Sequence, residues 1–365
     1  MCCPPLTGIG RFVARLVEAL SQSHPLRLVT TVQEDLPWGR FAKLRRGQDL
    51  PINPGELPPA DGDLVAWTRA VLQRPTVPHD RELAARSTGL YTMLRPAEKH
   101  FKQELAILYD FTPLIVPWTH TPLVQARFGA FFGRDLALCD KAIAISQATK
   151  ADARWLSPLD DGDVHVGYPG PSLCVHGHAE PRPVKRKKNI ILVVSTLEPR
   201  KNGRFLLDWF PTTTAFDSDM ELWWVGPKGW MCDLTHVQAS SPRHRKIRFM
   251  GMVSDRKLCE LYQQAAFTIY PSLYEGFGFP VLDSLCHNTP VVRSFNSSLQ
   301  EFAGPGVFYF DPYDKASLDS ACRAVVHATT GPEPLLIDRN AIDQRFGWPV
   351  LAKTVLELCR QSAAA

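Results

Sequence analysis

The chain has 365 residues, which is more than one ordinary hydrophobic core organises and therefore predicts two domains. With 45% apolar and 21% charged residues it has the composition of a soluble globular protein, and no apolar run is long enough to span a bilayer. A net charge of +4 does not indicate nucleic-acid binding, and nine cysteines without a Cys-x-x-Cys pair indicate neither a zinc site nor a disulfide framework.

The N-terminal segment predicts a glycine turn that opens a helix. Thr7-Gly8-Ile9-Gly10 precedes apolar residues at helical spacing, namely Phe12, Val13, Leu16, Val17 and Leu20. Backbone N–H groups and the helix dipole make such a start an anion site, with a plain helix cap as the alternative. The few residues before Thr7 form neither a β pattern nor an apolar signal region. We therefore expect the first domain to lack its initial strand and the protein to carry no secretory signal.

Short apolar runs alternate with proline-rich loops up to residue 100, and residues 26–30 and 63–67 are predicted as parallel strands. Residues 105–110 form a strand-like run that ends on Asp110, at a position where α/β sites place polar groups. Asp110 is predicted with equal weight to bind a hydroxyl or to cap a helix. Residues 133–139 and a segment capped by Ser146 are predicted as helices, and residues 141–145 and 164–168 as strands.

A second series of strands and helices follows a polar, proline-rich and basic stretch. This stretch, residues 179–188, is predicted as a linker between domains. The predicted strands are 189–194, 221–226, 247–251 and 265–270, and the predicted helices are 204–210, 255–265 with Ser254 as its cap, and 280–285. Strands that alternate with helices imply a doubly wound parallel sheet.

Chemistry is expected after two strands of this second sheet. Arg200 and Lys201 follow the strand at 189–194, and two adjacent cations there suit a diphosphate, with an exposed surface turn as the alternative. The strand at 265–270 is followed by Glu275, a glycine turn and a short helix that carries Asp283. The two acids can face one pocket at the carboxyl end of that strand, although a loop–helix junction with solvated acids would give the same pattern.

The second half of the chain carries five motifs in order: Thr-Leu-Glu-Pro-Arg-Lys-Asn (196–202), Val-Gly-Pro-Lys-Gly-Trp (225–230), Phe-Met-Gly-Met-Val-Ser-Asp (249–255), Ser-Leu-Tyr-Glu-Gly-Phe-Gly-Phe-Pro-Val-Leu (272–282) and Asn-Ser-Ser-Leu-Gln-Glu (296–301). These motifs resemble those of the retaining nucleotide-sugar glycosyltransferases of family 4, which have the GT-B fold. Thr-Gly-Ile-Gly-Arg-Phe (7–12) and Tyr-Pro-Gly (168–170) also fit. The resemblance is specific in the second half and looser over residues 25–100.

The resemblance implies an α/β protein of two facing, Rossmann-like, doubly wound domains, the first without its initial strand. We expect an acceptor-side domain over residues 1–180 and a nucleotide-sugar-binding domain over residues 181–344. Residues 345–365 are expected to form a C-terminal helix that crosses back to the first domain, and Phe346-Gly347-Trp348 fits this crossover.

The resemblance also implies roles for individual residues. Arg200 and Lys201 would neutralise the donor diphosphate and Glu275 would contact sugar hydroxyls, so these three form the expected catalytic set. The loop from Gly8 to Gly10 would close over the phosphates, and Asp283 would bind the ribose. The expected donor-binding residues are together Gly8, Gly10, Gly276, Phe277, Gly278, Asp283, Ser297 and Ser298. Asp110 is assigned to the acceptor side, and neither a metal nor another cofactor is expected.

Three residues depart from the family pattern. Asp283 replaces the usual glutamate and is one methylene shorter, which puts its reach to the ribose in question. Ser195 replaces a usual glycine beside the diphosphate turn, and Tyr109 stands before Asp110 where many relatives carry histidine. The last difference bears on any acceptor-side role of this segment.

These features predict a retaining, metal-independent hexosyltransferase of surface polysaccharide synthesis. It would move a hexose, mannose from GDP-mannose, to a glycan or lipid-linked acceptor. It would be cytoplasmic, with peripheral attachment to the inner face of the cytoplasmic membrane as a further expectation. The alternative is a truncated or non-catalytic relative that binds a nucleotide sugar without efficient turnover. A dehydrogenase is disfavoured because no strand is followed by Gly-x-Gly-x-x-Gly and a downstream acid.

Overall fold

The computed structural model describes residues 8–29, 47–60, 63–92, 98–173, 189–216, 219–231, 245–332 and 335–361. They fall into two compact units. The first takes its residues from 1–109, 129–176 and 344–365, and the second from 110–128 and 177–343. The predicted boundaries place residues 110–128 in the first domain, whereas these residues group with the second unit. The predicted linker, residues 179–188, lies outside the described residues.

The elements up to residue 173 belong to the first unit, apart from residues 110–128, which belong to the second. In chain order they are α1 (Gly8–Ser21), β1 (Leu26–Val29), β2 (Gln48–Ile52), α2 (Leu64–Leu72), β3 (Val77–Pro78), α3 (Arg81–Ala84), β4 (Thr88–Tyr91), β5 (Gln103–Leu108), α4 (Thr112–Ile115), α5 (Pro122–Ala137), β6 (Lys141–Ala144), α6 (Gln147–Leu156) and β7 (Val164–Val166).

Helix α1 forms as predicted and includes the glycines at its start. It begins at Gly8, so these glycines form the first helical turn rather than a loop ahead of the helix. Its apolar positions are buried: Phe12, Leu16 and Leu20 are at most 6% exposed. Residues spaced three and four apart lie on one helix face, and their burial fixes the helix against its neighbours.

The predictions of parallel strands at 26–30 and 63–67 are wrong in different ways. Strand β1 exists, but it pairs antiparallel with β2, and its half-exposed residues are typical of a sheet with one solvated face. Residues 63–67 begin helix α2, because Asp63 caps it by accepting from the N–H of Ala66 at 2.9 Å. Leu64, Thr68 and Val71 are buried at helical spacing, so burial in this apolar run follows the period of a helix and not that of a strand.

A parallel sheet with strand order β4-β5-β6-β7 forms the centre of the first unit. The strands predicted at 105–110, 141–145 and 164–168 are confirmed as β5, β6 and β7. Ser146 caps α6, as predicted, by accepting from the N–H of Thr149 at 2.9 Å. All six residues of β5 are buried, including the polar Gln103 and Glu104, and this explains why its apolar part, residues 105–108, shows no alternation.

Residues 344–365 group with the first unit, to which the sequence assigned a returning C-terminal helix. The ring of Trp348 contacts that of Phe12 in α1 edge to face at 5.4 Å.

The elements after residue 188 are, in chain order, β8 (Ile190–Val194), α7 (Gly203–Trp209), β9 (Glu221–Val225), β10 (Ile247–Gly251), α8 (Asp255–Gln264), β11 (Phe267–Tyr270), α9 (Phe279–Cys286), β12 (Val291–Ser294), β13 (Val307–Phe310), α10 (Lys315–Thr330), α11 (Arg339–Arg345) and α12 (Trp348–Gln361).

The second unit is built on one six-stranded sheet with the order β10-β9-β8-β11-β12-β13, in which every pair is parallel. Counted from β8, this is the order 3-2-1-4-5-6 of a doubly wound nucleotide-binding fold. The strands predicted at 189–194, 221–226, 247–251 and 265–270 are confirmed. The strand order reverses between β8 and β11, and this position decides where a ligand site is expected.

Candidate functional site

Two loops meet at the reversal of strand order between β8 and β11. In a doubly wound sheet, ligands bind in the crevice that opens there beyond the carboxyl ends of the strands. The chain leaving β8 forms a 3₁₀ turn, Pro199–Lys201. In the loop leaving β11, the backbone N–H of Leu273 donates to the carbonyl of Arg200 at 2.8 Å. The topology therefore brings Arg200 and Lys201 to the loop that carries Glu275.

The two predicted cations both bind the predicted acid. Lys201 Nζ lies 2.5 Å from Glu275 Oε1, and Arg200 Nη1 lies 2.7 Å from Glu275 Oε2, so each carboxylate oxygen has its own cation. Arg200 Nη1 also donates to the backbone carbonyl of Tyr274 at 3.0 Å. The side chains of Arg200 and Lys201 are each 13% exposed and that of Glu275 is 8% exposed, so this charged cluster is largely but not wholly withdrawn from water.

Two further residues, Glu198 and Tyr270, complete this cluster and are missing from the predicted set. Arg200 Nη2 donates to Glu198 Oε1 at 3.0 Å. Lys201 Nζ donates to Tyr270 Oη at 2.9 Å, and that hydroxyl donates to Glu275 Oε1 at 3.0 Å. Glu198 stands inside the motif that carries the cations, and Tyr270 ends a buried strand at the ligand edge of the sheet. Both positions were signals that the sequence offered.

Within the cluster, opposite charges outweigh burial in setting the pKa of Glu275 and Arg200, whereas burial outweighs them for Glu198 and lowers the pKa of Lys201. Burial alone would raise the pKa of Glu275, but the charges of Arg200 and Lys201 lower it to about 2. Burial disfavours the charged form of Arg200, yet Glu275, Asp110 and Glu198 raise its pKa above the ordinary value. Burial raises the pKa of Glu198. Glu275 is thus firmly ionised at neutral pH, and the guanidinium keeps its charge.

Two serines hold the loop around Glu275 in place through hydrogen bonds. Ser297 Oγ accepts from the backbone N–H of Glu275 at 2.9 Å. Ser298 Oγ is fully buried and lies 2.8 Å from the carbonyl oxygens of both Glu275 and Phe277, which share its single O–H donor. Gly278 has a φ of +116°, and an added Cβ would lie 2.7 Å from Leu299, so a side chain would strain this turn. The predicted donor contacts of Ser297 and Ser298 stay predictions, whereas their support of the loop is seen directly.

Asp283 lies in α9, the short helix predicted after the glycine turn. Its side chain belongs to the buried interior, with 2% exposure for the residue as a whole. Its charge is close enough to Tyr262 and Cys286 to raise the pKa of both groups, for which burial is the larger cause. The predicted contact between Asp283 and a ribose stays a prediction, and it would require a ligand to approach this buried carboxylate.

A histidine that was not predicted lies beside the cluster, in the stretch 110–128. His120 is 8% exposed, and its Nε2 has no hydrogen-bond partner among the described residues. Burial and the charge of Arg200 lower its pKa, so the imidazole is neutral at pH 7. Its ring lies against Trp230, at 6.3 Å between centroids, and Trp230 Nε1 donates to the carbonyl of Thr119 at 2.9 Å.

Asp110 is not the N-cap that the sequence offered as one of its two roles, because α4 has Phe111 at that position, but its side chain supports the start of this helix. Its Oδ1 accepts from the N–H of Thr112 at 2.9 Å and from the hydroxyl of Thr112 at 2.6 Å, at the start of α4. Its charge also reaches His120 and Arg200. The predicted acceptor-side role stays open beside this structural one.

Comparisons with known proteins agree with this geometry. Residues 188–327 match the sequence model of the glycosyl transferases of group 1. O-antigen chain mannosyltransferase B of Escherichia coli is 39% identical over 127 residues, which is 34% of this chain and 33% of that protein. O-antigen chain mannosyltransferase RfbU of Salmonella typhimurium is 24% identical over 225 residues, 61% of each chain. The chain thus spans between a third and three fifths of the length of these relatives.

A solved structure extends the likeness to nearly the whole fold. WaaG, a glycosyltransferase involved in lipopolysaccharide biosynthesis, superposes with a TM-score of 0.57 over 93% of this chain and 96% of its own, at 14% identity. Residues 188–327 thus resemble the group 1 glycosyltransferases in sequence, and the chain has the GT-B fold. Within the described ranges, no helix combines the length and apolar character needed to cross a bilayer.

The remaining predicted site residues lie in both units of the chain. Gly276 and Phe277 are buried in the loop that follows Glu275. Gly8 and Gly10 belong to the first unit, so their predicted closure over a diphosphate stays a prediction. Among the described residues no group of three His, Cys, Asp or Glu side chains could hold a metal ion. The expected independence of a metal stays a prediction.

Proposed function

We propose that this protein is a retaining glycosyltransferase that moves a hexose from a nucleotide sugar to a glycan or lipid-linked acceptor of surface polysaccharide synthesis. The observation that carries the proposal is the cluster of Arg200, Lys201 and Glu275 at the strand reversal of a doubly wound sheet. It places two cations and a carboxylate where this fold binds nucleotides. The likeness to group 1 glycosyltransferases supports the same conclusion.

The charges of the cluster suit the departure of a nucleoside diphosphate. When the bond between the sugar C1 and the phosphate oxygen breaks, negative charge grows on the leaving group. Arg200 and Lys201 are already ordered by Glu275, so they stabilise that charge with little rearrangement. Glu275 keeps the two cations together and offers its carboxylate to sugar hydroxyls. Retention would follow if the acceptor hydroxyl attacks C1 from the same face and passes its proton to the leaving phosphate oxygen.

We propose mannose as the sugar and GDP-mannose as the donor. Support comes from the two relatives, both named as O-antigen chain mannosyltransferases. The cluster itself recognises the diphosphate and a hydroxylated ring, which all nucleotide sugars share. The choice among them must therefore come from groups around the cluster, and His120 is one candidate because its Nε2 is without a partner among the described residues.

The second candidate function is binding of a nucleotide sugar without efficient turnover. The burial of Asp283 favours it, because a short carboxylate that is 2% exposed is poorly placed to grip a ribose. If this is correct, Asp283→Glu should restore turnover. If transfer by the wild type is efficient and Asp283→Glu lowers it strongly, the pocket is shaped around the shorter acid and this candidate fails.

A panel of nucleotide sugars tests the proposal. GDP-mannose should raise the melting temperature of the purified protein more than UDP-glucose, UDP-galactose or free GDP does. Radiolabelled mannose should then move to a mannose-containing acceptor, and Arg200→Ala should abolish this transfer. Arg204→Ala is the matched control, since Arg204 follows in the same segment with a side chain that is 81% exposed. The proposal is contradicted if the protein neither binds nor transfers from any nucleotide sugar of the panel, or if Arg200→Ala transfers mannose as well as the wild type does.

A further inference from the structure

A groove lies at the same edge of the six-stranded sheet, outside the charged cluster. It is open, encloses about 490 Å³ and lies beyond the carboxyl ends of β12 and β13. Its lining includes Phe295, Asn296, Tyr309, Asp311, Tyr313 and Ser317. This volume falls within the range of roughly 300–1,000 Å³ that is usual for sites of small ligands.

Three aromatic rings of the groove face solvent. Phe295 is 54% exposed, Tyr309 is 63% exposed and Tyr313 is 72% exposed. The rings of Phe295 and Tyr309 contact each other at 5.3 Å with an angle of 40°. Aromatic side chains contribute large contact areas when they are covered, so a group of exposed rings marks a binding surface.

A buried cation holds two of these rings in place. Arg293 is 3% exposed, and its guanidinium lies 5.8 Å from the ring centre of Phe295 and 5.7 Å from that of Tyr309. The guanidinium is fixed in turn by the carbonyls of Ser294 at 3.1 Å and Phe302 at 2.8 Å. Rings that are ordered in advance lose little conformational entropy when a ligand covers them.

Polar groups complete the lining and limit the charge of its ligand. Asp311 accepts from the N–H of Tyr313 at 2.9 Å, and Ser317 accepts from the N–H of Asp311 at 3.1 Å, so the turn that carries Tyr313 is fixed. Asp311 has the only carboxylate among the described lining residues, and none of them is Lys or Arg. Because the nearby Arg293 is buried and bound to backbone carbonyls, an anionic ligand would meet a carboxylate and no exposed cation of the lining, whereas hydroxyl groups would find hydrogen-bonding partners.

The groove shares its walls with the charged cluster. Asn296 donates from Nδ2 to the carbonyl of Ser272 at 2.9 Å, and the next residue, Ser297, accepts from the N–H of Glu275. Asn202, next to the two cations in sequence, donates from Nδ2 to the carbonyl of Pro312 in the groove at 2.8 Å. A linear ligand that extends from the cluster across this edge of the sheet would pass over the rings of Phe295, Tyr309 and Tyr313.

We propose that the groove binds a neutral hexose oligosaccharide, whose C–H faces stack on Tyr309 and Tyr313 while its hydroxyls meet Asn296 and Asp311. A hexose chain presents apolar ring faces and polar edges together, and the lining offers the same combination. Identifying this oligosaccharide with the acceptor glycan would rest on the proposed glycosyl transfer, whereas its binding to the groove does not. Binding by the groove is measured without any donor.

The experiment is a titration of the full chain with a neutral mannose tetrasaccharide, followed by calorimetry and saturation-transfer NMR. We expect the double substitution Tyr309→Ala with Tyr313→Ala to weaken binding by about tenfold or more, as for other buried aromatic contacts. Tyr309→Phe keeps the ring and should bind nearly as the wild type does. Trp155→Ala is the control, since Trp155 is 87% exposed in α6 and lies outside the groove.

The outcomes separate this inference from the proposed function. If the wild type does not bind the tetrasaccharide, or if the double variant binds it equally well, the inference is overturned. A double variant that changes only the oligomeric state, with unaltered tetrasaccharide binding, would assign the rings to a contact between copies and also overturn it. Ring-dependent binding of the tetrasaccharide would uphold the inference even if no nucleotide sugar binds, and in that case only the transferase proposal fails.

Discussion

Glu275 has two effects that one substitution can separate. Its carboxylate neutralises Arg200 and Lys201, and it is also the group expected to meet the sugar. Glu275→Gln keeps the shape but removes the carboxylate partner of Lys201 and leaves Arg200 paired with Glu198 alone. We expect transfer to fall by about 100-fold or more, in line with other preorganised charged sites. The affinity for free GDP should stay or rise, because a diphosphate can then replace the lost negative charge.

Steady-state transfer and calorimetric binding of GDP measure these two effects side by side. Glu260→Gln is the control, because Glu260 lies on the surface of α8 and pairs there with Lys257. Loss of the carboxylate charge should lower the melting temperature more for Glu275→Gln than for Glu260→Gln, because a buried cation that loses an ion-pair partner destabilises the fold. A parallel loss of GDP affinity and transfer would mean that Glu275 acts on the phosphates.

The depressed pKa of Glu275 predicts how stability responds to acid. The neighbouring cations lower this pKa from its ordinary 4.5 to about 2, although burial opposes them. A carboxyl with a lowered folded-state pKa stabilises the fold above its unfolded-state pKa, and this contribution is lost as the pH falls toward the folded-state value. Between pH 4.5 and about 2, the unfolding free energy of the wild type should therefore fall more steeply than that of Glu275→Gln. Denaturant unfolding at a series of pH values measures both slopes, and equal slopes would contradict the charge pairing.

His120 should take part in substrate recognition. Its Nε2 is buried without a partner among the described residues, and buried polar atoms normally have one. We expect His120→Phe to lower kcat/KM for the donor about tenfold, as for the loss of one hydrogen bond. His120→Gln keeps a polar group and should recover part of the loss. His165→Phe is the matched control, because His165 has an equally unpartnered Nε2 but lies in β7 of the first unit. Full activity of His120→Phe would contradict this role.

At the scale of elements, the loop from Glu275 to Gly278 depends on one buried hydroxyl. Ser298→Ala leaves the carbonyls of Glu275 and Phe277 without this donor, at a cost of about 1–3 kcal/mol in unfolding free energy. We expect the KM for the donor to rise as well, because the loop that carries Glu275 loosens. Ser320→Ala removes a comparable bond on the exposed face of α10 and should change neither quantity. A variant as stable as the wild type would show that another group takes over.

The strands whose sequence pattern is clearest are those that the sheet buries on both faces. Strands β8 and β11 are short continuous apolar runs, and their burial leaves a clear pattern. Residues 63–67 carry a similar run, but Asp63 as a cap and burial at helical spacing make them the start of α2. A run of this length does not separate strand from helix by itself.

At the scale of the whole molecule, sequence distance separates the predicted cluster from His120. Arg200, Lys201 and Glu275 could be predicted because each stands in a local motif after a strand. His120 could not, because its nearness to Arg200 depends on residues 110–128 joining the second unit. Contacts between segments so far apart in sequence leave no periodicity or spacing from which they can be inferred.

This grouping of distant segments makes a prediction about the chain as a whole. A ligand that binds the folded protein slows hydrogen exchange in the segments that form its site, since they must open less often. If the second unit binds the donor as one body, GDP-mannose should protect residues 110–128 together with residues 198–202 and 272–278. The antiparallel strands β1, β2 and β3 should exchange at unchanged rates and serve as the internal control. Exchange with mass-spectrometric detection resolves these segments. Protection of the loops without protection of residues 110–128 would remove both His120 and Asp110 from the donor site and leave recognition to the cluster around Glu275.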